Sequence, residues 1–264
     1  MKLVTFIGSL MLVAVFALVP FFLVSANHSW NGYHWARSAN PFTLKLGDNV
    51  STGWDAYLAE ASGDWSQSPV LDASIVAGNG SKNCKPTAGR IEVCNRKYGN
   101  SGWLGLAQIW TSGTHITQAL AKMNDTYFGS RTYNTPAWKR LVMCQEVAHG
   151  FGLDHQDEVF DNPNLGTCMD YTNDPDGPPT NEHPNLHDYE MLETIYAHTD
   201  NFSTADQSAI TATVRGGKPA FVDALLENPS EWGRRVKDNG HVALFEKDFG
   251  GGNKIHTYVI WAKE

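Results

Sequence analysis

The sequence predicts an α+β protein, because strand patterns and helical patterns occupy different stretches of the chain. Residues 42–46 alternate apolar and polar side chains, which is typical of a half-buried strand. Residues 135–152 place apolar side chains at spacings of three and four, the periodicity of an amphipathic helix. Residues 242–249 and 254–261 flank a run of glycines and predict a closing β-hairpin.

The remaining elements follow the same two patterns. Residues 51–65 predict a helix with Ser51 as its N-cap. Thr135 and Pro136 make a favourable start for the next helix, since threonine caps and proline is tolerated in the first turn. A third helix is predicted over residues 187–198, after a loop rich in Asp, Asn, Pro and Gly. Further strands are predicted over residues 70–76, 90–93, 104–110 and 115–120.

The N-terminal 26 residues have the features of an export signal. An apolar run follows Lys2 and ends at a small-residue cleavage site before Asn27, so residues 1–26 are assigned to a signal peptide. The run is also long enough for an uncleaved N-terminal membrane anchor. Both alternatives place the rest of the chain outside the cytoplasm, and secretion to the extracellular space is the expectation we adopt.

Composition and charge narrow the domain organisation and the partners. A shift in composition near Asn201 divides the exported part into a main domain, residues 27–200, and a small β-rich C-terminal module, residues 201–264. The net charge of −8, without a basic cluster, argues against nucleic acid and anionic membrane surfaces as partners. We expect the protein to be a monomer.

The four cysteines predict two disulfides, because an even number of cysteines in an exported chain usually pairs. Sequence order alone permits three pairings. The pair Cys84–Cys94 is favoured because it closes a short loop.

The middle one of the three predicted helices carries the candidate chemistry. Gln145 and His149 lie one turn apart and face the same way, so both can bind a single ion. Glu146 lies beside them and can accept a proton from an activated water. Gly152 permits a left-handed exit from the helix, which returns the chain and a third ligand, His155, toward the same point. A catalytic metal needs three protein ligands and one open position.

From Glu146 to His155 the sequence reads Glu-Val-Ala-His-Gly-Phe-Gly-Leu-Asp-His. It resembles the long zinc signature of the metzincin peptidases, His-Glu-x-x-His-x-x-Gly-x-x-His, and departs from it only at the first histidine, where this chain has Gln145. Metzincins also have a methionine turn beneath the metal, and Met169 stands in that place. The order of elements is similar to the matrixin branch, and gametolysin-like relatives include members with Gln at the first ligand position.

The resemblance implies a twisted mixed sheet with an active-site helix, a methionine turn and a C-terminal helix. It implies a secreted metalloendopeptidase in which Glu146 is the general base, with a peptide or protein substrate added to the sheet edge along residues 104–110. Tyr171 stands where a tyrosine approaches the metal in the astacin and serralysin branches. Stabilising the transition state and a purely structural role are the alternatives for this tyrosine. A methionine turn under the metal also implies the disulfide Cys144–Cys168.

Alternatives remain for the identity of the metal and for its third ligand. Zinc is the expected ion, although the amide oxygen of Gln145 should bind zinc more weakly than imidazole does, and copper is the alternative. Asp154 or Asp157 is an alternative third ligand, with Gln145 only beside the site. Calcium is a further candidate for the acidic loop between Asp157 and Asp176, as in matrixin relatives, but no spacing defines a site there.

Two other functions compete with the peptidase. One is a catalytically inactive binding protein that keeps the peptidase fold. The other makes the C-terminal module the working part and the metal merely structural. The remaining histidines have no metal-ligand spacing and are assigned structural or surface roles: His34, His115, His183, His187, His198, His241 and His256.

Overall fold

The computed structural model describes residues 27–205, 221, 224 and 226–263. The predicted signal peptide, residues 1–26, lies outside this part of the chain. Among the residues described, no helix is long and apolar enough to cross a membrane.

The predicted α+β class is confirmed, with one large mixed sheet and few helices. The strands are β1 (His34–Trp35), β2 (Phe42–Asn49), β3 (Leu71–Ala77), β4 (Arg90–Arg96), β5 (Trp103–Ser112), β6 (His115–Asn124), β7 (Arg234–Asp238), β8 (Val242–Asp248) and β9 (Asn253–Trp261). The α-helices are α1 (Asp55–Trp65), α2 (Asp125–Phe128), α3 (Pro136–His149) and α4 (Leu186–Ile195), and a short 3-10 helix spans Pro229–Glu231.

The nine strands form a single sheet. Eight of them follow the order β3-β2-β4-β6-β5-β9-β8-β7, and β1 joins the sheet beside β6. Strands β2, β3, β4 and β6 are parallel to one another, whereas β5, β9, β8 and β7 pair antiparallel with their neighbours. The short strand β1 pairs in parallel with the start of β6 and sets His34 beside His115.

Helix α3 begins where the sequence predicts. The side chain of Thr135 accepts a hydrogen bond from the backbone N–H of Trp138 at 3.2 Å, and Pro136 occupies the first turn. Every residue from Leu141 to His149 is buried. The buried surface of α3 is therefore wider than the one apolar face of an amphipathic helix that the sequence predicts. The reason is that α3 packs against α1 as well as against β5 and β6.

The start of α1 differs from the prediction. Trp54, and not Ser51, holds the N-cap position, and its side chain makes no capping hydrogen bond. Ser51 instead accepts a hydrogen bond from the backbone N–H of Trp54 at 2.7 Å through its own carbonyl, which makes a turn before the helix. Its backbone N–H donates to the side chain of Asn95 at 2.6 Å.

The C-terminal hairpin is part of the main sheet, whereas the sequence analysis places it in a separate module. Strand β9 pairs antiparallel with β5 from Trp103 to Ser112. Strand β5 is therefore not a sheet edge, and the expectation of a free substrate edge along residues 104–110 is wrong. The physical reason is that β9 satisfies the outward backbone N–H and C=O groups of β5, which an exposed edge would leave unpaired.

The chain that leads into this hairpin covers the face of the sheet opposite α3. Trp110 donates its indole N–H to the carbonyl of Phe221 at 2.9 Å, and Gln108 donates to the carbonyl of Leu226 at 3.1 Å. Trp232 is fully buried in the same cluster. Phe221, Leu226 and Trp232 thus belong to a second hydrophobic cluster on the sheet.

Both predicted disulfides are present. Cys84–Cys94 joins the loop before β4 to that strand. Cys144–Cys168 joins α3 to the residue that precedes Met169. The second bond anchors the predicted methionine turn to the helix that carries Gln145 and His149.

Gly152 should tolerate no side chain. It has φ +96°, and a Cβ atom there would collide with the carbonyl oxygen of Tyr33. We expect Gly152→Ala to lower the free energy of unfolding by about 2–3 kcal/mol in urea denaturation. Gly63→Ala, at an exposed position of α1 with open space around it, is the matched control and should change stability by less than about 1 kcal/mol. Equal effects of the two substitutions would contradict the assignment.

Candidate metal centre

The last turns of α3 place three polar side chains in the protein interior. Gln145, Glu146 and His149 are each 0% exposed. Met169 is also fully buried, and its carbonyl accepts a hydrogen bond from the backbone N–H of Gln156 at 2.7 Å. The methionine segment is thereby tied to the residue next to His155.

The chain turns back sharply after α3 and brings a second histidine to the first. The N–H of Gly152 donates to the carbonyl of His149 at 3.1 Å, and its positive φ reverses the direction of the chain. Trp30 holds this turn from outside by donating its backbone N–H to the carbonyl of Gly152 at 2.8 Å. As a result, the Nε2 atoms of His149 and His155 lie 3.2 Å apart.

Hydrogen bonds at the far side of each ring orient the two histidines. Nδ1 of His149 lies 2.8 Å from the carbonyl oxygen of Leu153, which can only accept, so a proton is on Nδ1. Nδ1 of His155 lies 2.9 Å from a carboxylate oxygen of Glu158, which likewise accepts. Burial, with His155 nearby, holds the pKa of His149 well below its usual range, so this ring is neutral. Nε2 of His149 therefore directs a lone pair at Nε2 of His155.

This lone pair can accept a hydrogen bond from Nε2 of His155 or bind a cation that the two rings share. Zinc binds histidine nitrogen at about 2.0–2.1 Å, and tetrahedral ligands at that distance are about 3.3–3.5 Å apart. The separation of 3.2 Å between the two Nε2 atoms is close to this value. Histidine ligands of zinc commonly donate the other ring N–H to a carbonyl or a carboxylate, as His149 and His155 do here.

Gln145 and Glu146 add polar atoms that nothing in the described protein satisfies. Both side-chain polar atoms of Gln145 and both carboxyl oxygens of Glu146 are buried without a hydrogen-bond partner among the described residues. Leaving such a group unpaired costs about 1–3 kcal/mol. Burial raises the pKa of Glu146 well above its usual range. Gly105 of β5 leaves room for this carboxyl group, because a Cβ atom there would collide with it.

Of the two carboxylates considered as alternative ligands, Asp154 lies at the centre, because its carboxylate and the ligand atoms of His155 and Glu158 are within 4.8 Å of one another. Its Oδ1 accepts hydrogen bonds from the backbone N–H of His155, at 2.7 Å, and from the hydroxyl of Tyr258. Asp157 accepts from the backbone N–H of Val159 at 2.8 Å within its own turn. The residues present therefore fit a metal held by the two histidines, with the buried amide of Gln145 or the carboxylate of Asp154 as the third ligand.

Tyr171 lies near the centre but directs its hydroxyl elsewhere. The hydroxyl donates to the carbonyl of Trp261 at 3.4 Å, and the ring centroid lies 6.4 Å from that of His155. Burial raises the pKa of Tyr171. In this arrangement the tyrosine connects the methionine segment with the end of β9.

Two aromatic residues, Tyr258 and Trp30, cover the centre. Neither was among the candidate site residues predicted from the sequence. The ring of Tyr258, from β9, stacks on His149 with centroids 4.3 Å apart and an interplanar angle of 5°. Trp30 packs edge-on against both rings, 6.0 Å from His149 and 4.8 Å from Tyr258. Neither residue belongs to a sequence motif. The sequence therefore does not distinguish these two aromatic side chains from those of an ordinary hydrophobic core.

Comparisons with known proteins add no family assignment. The sequence matches no protein-family model, and no curated protein is significantly similar to it. The resemblance to metzincins therefore rests on the sequence between Gln145 and Tyr171.

Proposed function

We propose that this protein is a secreted, metal-dependent endopeptidase. The observation that carries the proposal is the approach of Nε2 of His149 to Nε2 of His155, 3.2 Å apart, together with the buried polar atoms of Gln145 and Glu146 that have no partner among the described residues. The two disulfides support the exported part of the proposal, because such bonds persist in oxidising compartments.

Each residue has a defined task in this proposal. His149, His155 and the amide oxygen of Gln145 hold the ion, for which zinc is the first candidate and copper the alternative. When bound, such an ion supplies Lewis acidity and lowers the pKa of water. Glu146 accepts the proton of the attacking water and passes it to the leaving amine. Its buried environment raises its pKa, which strengthens its affinity for the proton that it accepts from the water.

The same geometry requires that the centre opens before a substrate is cleaved. Glu146 and His149 have no exposed surface, and Tyr258 covers His149. An extended peptide would pair with β5, and β9 already occupies that position. We therefore propose that the β8–β9 hairpin keeps the enzyme closed.

The occupied edge also favours a second candidate function. A peptidase-like protein whose cleft is permanently filled by its own strand would bind metal and partners without hydrolysis. The complete burial of Glu146 is the specific observation that supports this alternative. The two candidates differ in whether displacing Tyr258 produces hydrolysis.

Substitutions of Gln145 test its place in the ligand set. We expect Gln145→Ala to weaken zinc binding and Gln145→His to strengthen it about tenfold or more, because imidazole suits zinc better than an amide oxygen. The measurement is the zinc dissociation constant from competition with a chelator. Gln67→His, which adds a histidine at an exposed position, is the control and should change nothing. Unchanged affinity in Gln145→Ala would remove Gln145 from the ligands.

Removal of the Tyr258 ring tests the closed state. We expect Tyr258→Ala to raise peptide hydrolysis and the rate of metal removal by chelator, each by about tenfold or more, because His149 loses its cover. Tyr258→Phe keeps the stacked ring, removes only the hydroxyl, and should resemble the original protein. Circular dichroism and thermal melting establish that both variants are folded, since a large-to-small core change costs about 3–5 kcal/mol. A folded, metal-loaded Tyr258→Ala protein that cleaves no member of a mixed peptide library would support the binding-protein alternative.

Glu146→Gln, made in the Tyr258→Ala protein, tests the general base. The amide preserves the shape of the side chain but cannot accept the proton, so kcat/KM should fall by about 100-fold or more while the metal content stays unchanged. Glu60→Gln is the matched control, because the carboxylate of Glu60 pairs with Arg140 and not with the centre, and it should leave both quantities as they were. Full activity in Glu146→Gln would exclude this residue as the base.

A further inference from the structure

Three histidines and one aspartate meet at a point that none of their sequence spacings predicts. His34 lies on β1 and His115 at the start of β6, and the parallel pairing of these strands sets them side by side. His198 and Asp200 come from the segment that follows α4. The spacing of these three histidines in the sequence is not that of metal ligands, so structural or surface roles were expected for them.

The potential ligand atoms of His34, His115 and Asp200 lie within 4.8 Å of one another. Nε2 of His115 lies 3.2 Å from Oδ1 of Asp200. His198 adjoins this group, with its Nε2 atom 3.1 Å from Nε2 of His34 and 3.8 Å from Oδ1 of Asp200. Ligands of a tetrahedral zinc ion are about 3.3–3.5 Å apart. These three distances are within a few tenths of an ångström of this range.

His34 carries its ring proton on Nδ1, which leaves the lone pair of Nε2 to bind a metal. Nδ1 of His34 lies 2.8 Å from the carbonyl oxygen of Gly32, which can only accept a hydrogen bond. In the neutral ring Nδ1 therefore carries the proton, and Nε2 presents a lone pair to the cluster. His34 is only 4% exposed, so this lone pair has no access to bulk water.

Arg37 holds the segment after α4 in place. Its guanidinium donates to the carbonyls of Tyr196, at 2.8 Å, and His198, and to Oδ2 of Asp200 at 3.2 Å. The backbone N–H of Asp200 in turn donates to the carbonyl of Arg37 at 2.8 Å. Since Arg37 engages Oδ2, Oδ1 of Asp200 remains directed at His115. The carboxylate is therefore oriented by a residue that is not itself a ligand.

We propose that His34, His115, His198 and Asp200 form a second zinc site, separate from the centre at His149. Three imidazole nitrogens and one carboxylate oxygen are a donor set that zinc accepts, and four protein ligands leave no open position. The site is structural: it joins the segment before β2, the start of β6 and the segment after α4. It does not depend on the proposed peptidase activity.

The same four side chains also permit a metal-free arrangement. His198 can donate to Nε2 of His34, and His115 can donate to Oδ1 of Asp200. Zinc content separates the two arrangements, because hydrogen bonds alone hold no ion.

Zinc content should be measured by elemental analysis after the full-length protein is purified without chelators, loaded with zinc and desalted. His149→Ala removes the contribution of the first centre, and this protein should keep about one equivalent of zinc. Adding His198→Ala or His115→Ala to it should remove that equivalent. These residues are suitable because their side chains are 54% and 26% exposed, so the fold should persist.

His183→Ala is the matched control, since His183 is a half-exposed histidine whose ring contacts Asp64 and Glu60 instead of either centre. In the His149→Ala protein this substitution should leave the zinc content unchanged. Zinc should also raise the melting temperature by about 5–10 °C in His149→Ala, and not after His198→Ala is added. A His149→Ala protein without zinc, or equal zinc content after His198→Ala and His183→Ala, would overturn the second site. Neither result would bear on the peptidase proposal, which depends on zinc bound at His149.

Discussion

Strand β9 pairs with β5 along the whole length of that strand, and the closed state of the centre depends on this pairing. It carries Tyr258 over His149 and places the carbonyl of Trp261 within reach of the Tyr171 hydroxyl. It also removes the only edge of β5 that an extended peptide would use. Opening the centre therefore requires breaking a ladder of backbone hydrogen bonds, and the protein is either regulated at this strand or does not act on peptides.

The interior beneath β9 is polar to a degree that a simple core would not tolerate. Among the described residues, the buried polar atoms of Gln145 and Glu146 have no hydrogen-bond partner, and Nε2 of His149 lies 3.2 Å from Nε2 of His155. Desolvated polar groups without partners raise the free energy of the native state. The proposed cation would give these side chains a common partner.

The two histidine clusters are built by the same means. In each, a ring fixes its tautomer by donating Nδ1–H to an oxygen acceptor, a carbonyl for His149 and His34 and a carboxylate for His155. The clusters differ in their surroundings. The first is sealed beneath aromatic rings and retains unpaired donors, whereas the second lies partly at the surface with an orienting arginine, Arg37. A site that acts on substrate and one that only joins chain segments would differ in this way.

The sequence by itself determined the α+β class, most strands, helix α3 and the Cys84–Cys94 bond, because these depend on local periodicity, capping and the spacing of cysteines. The Cys144–Cys168 bond followed from the resemblance to metzincins. The sequence also selected the side chains of the first centre, since Gln145 and His149 are separated by one helical turn and Gly152 permits the return of His155. Only the tertiary structure decided that β9 covers β5, and that His34 meets His198. Such contacts join residues more than a hundred positions apart, and no local pattern encodes which strand pairs with an edge or which loop reaches a distant histidine.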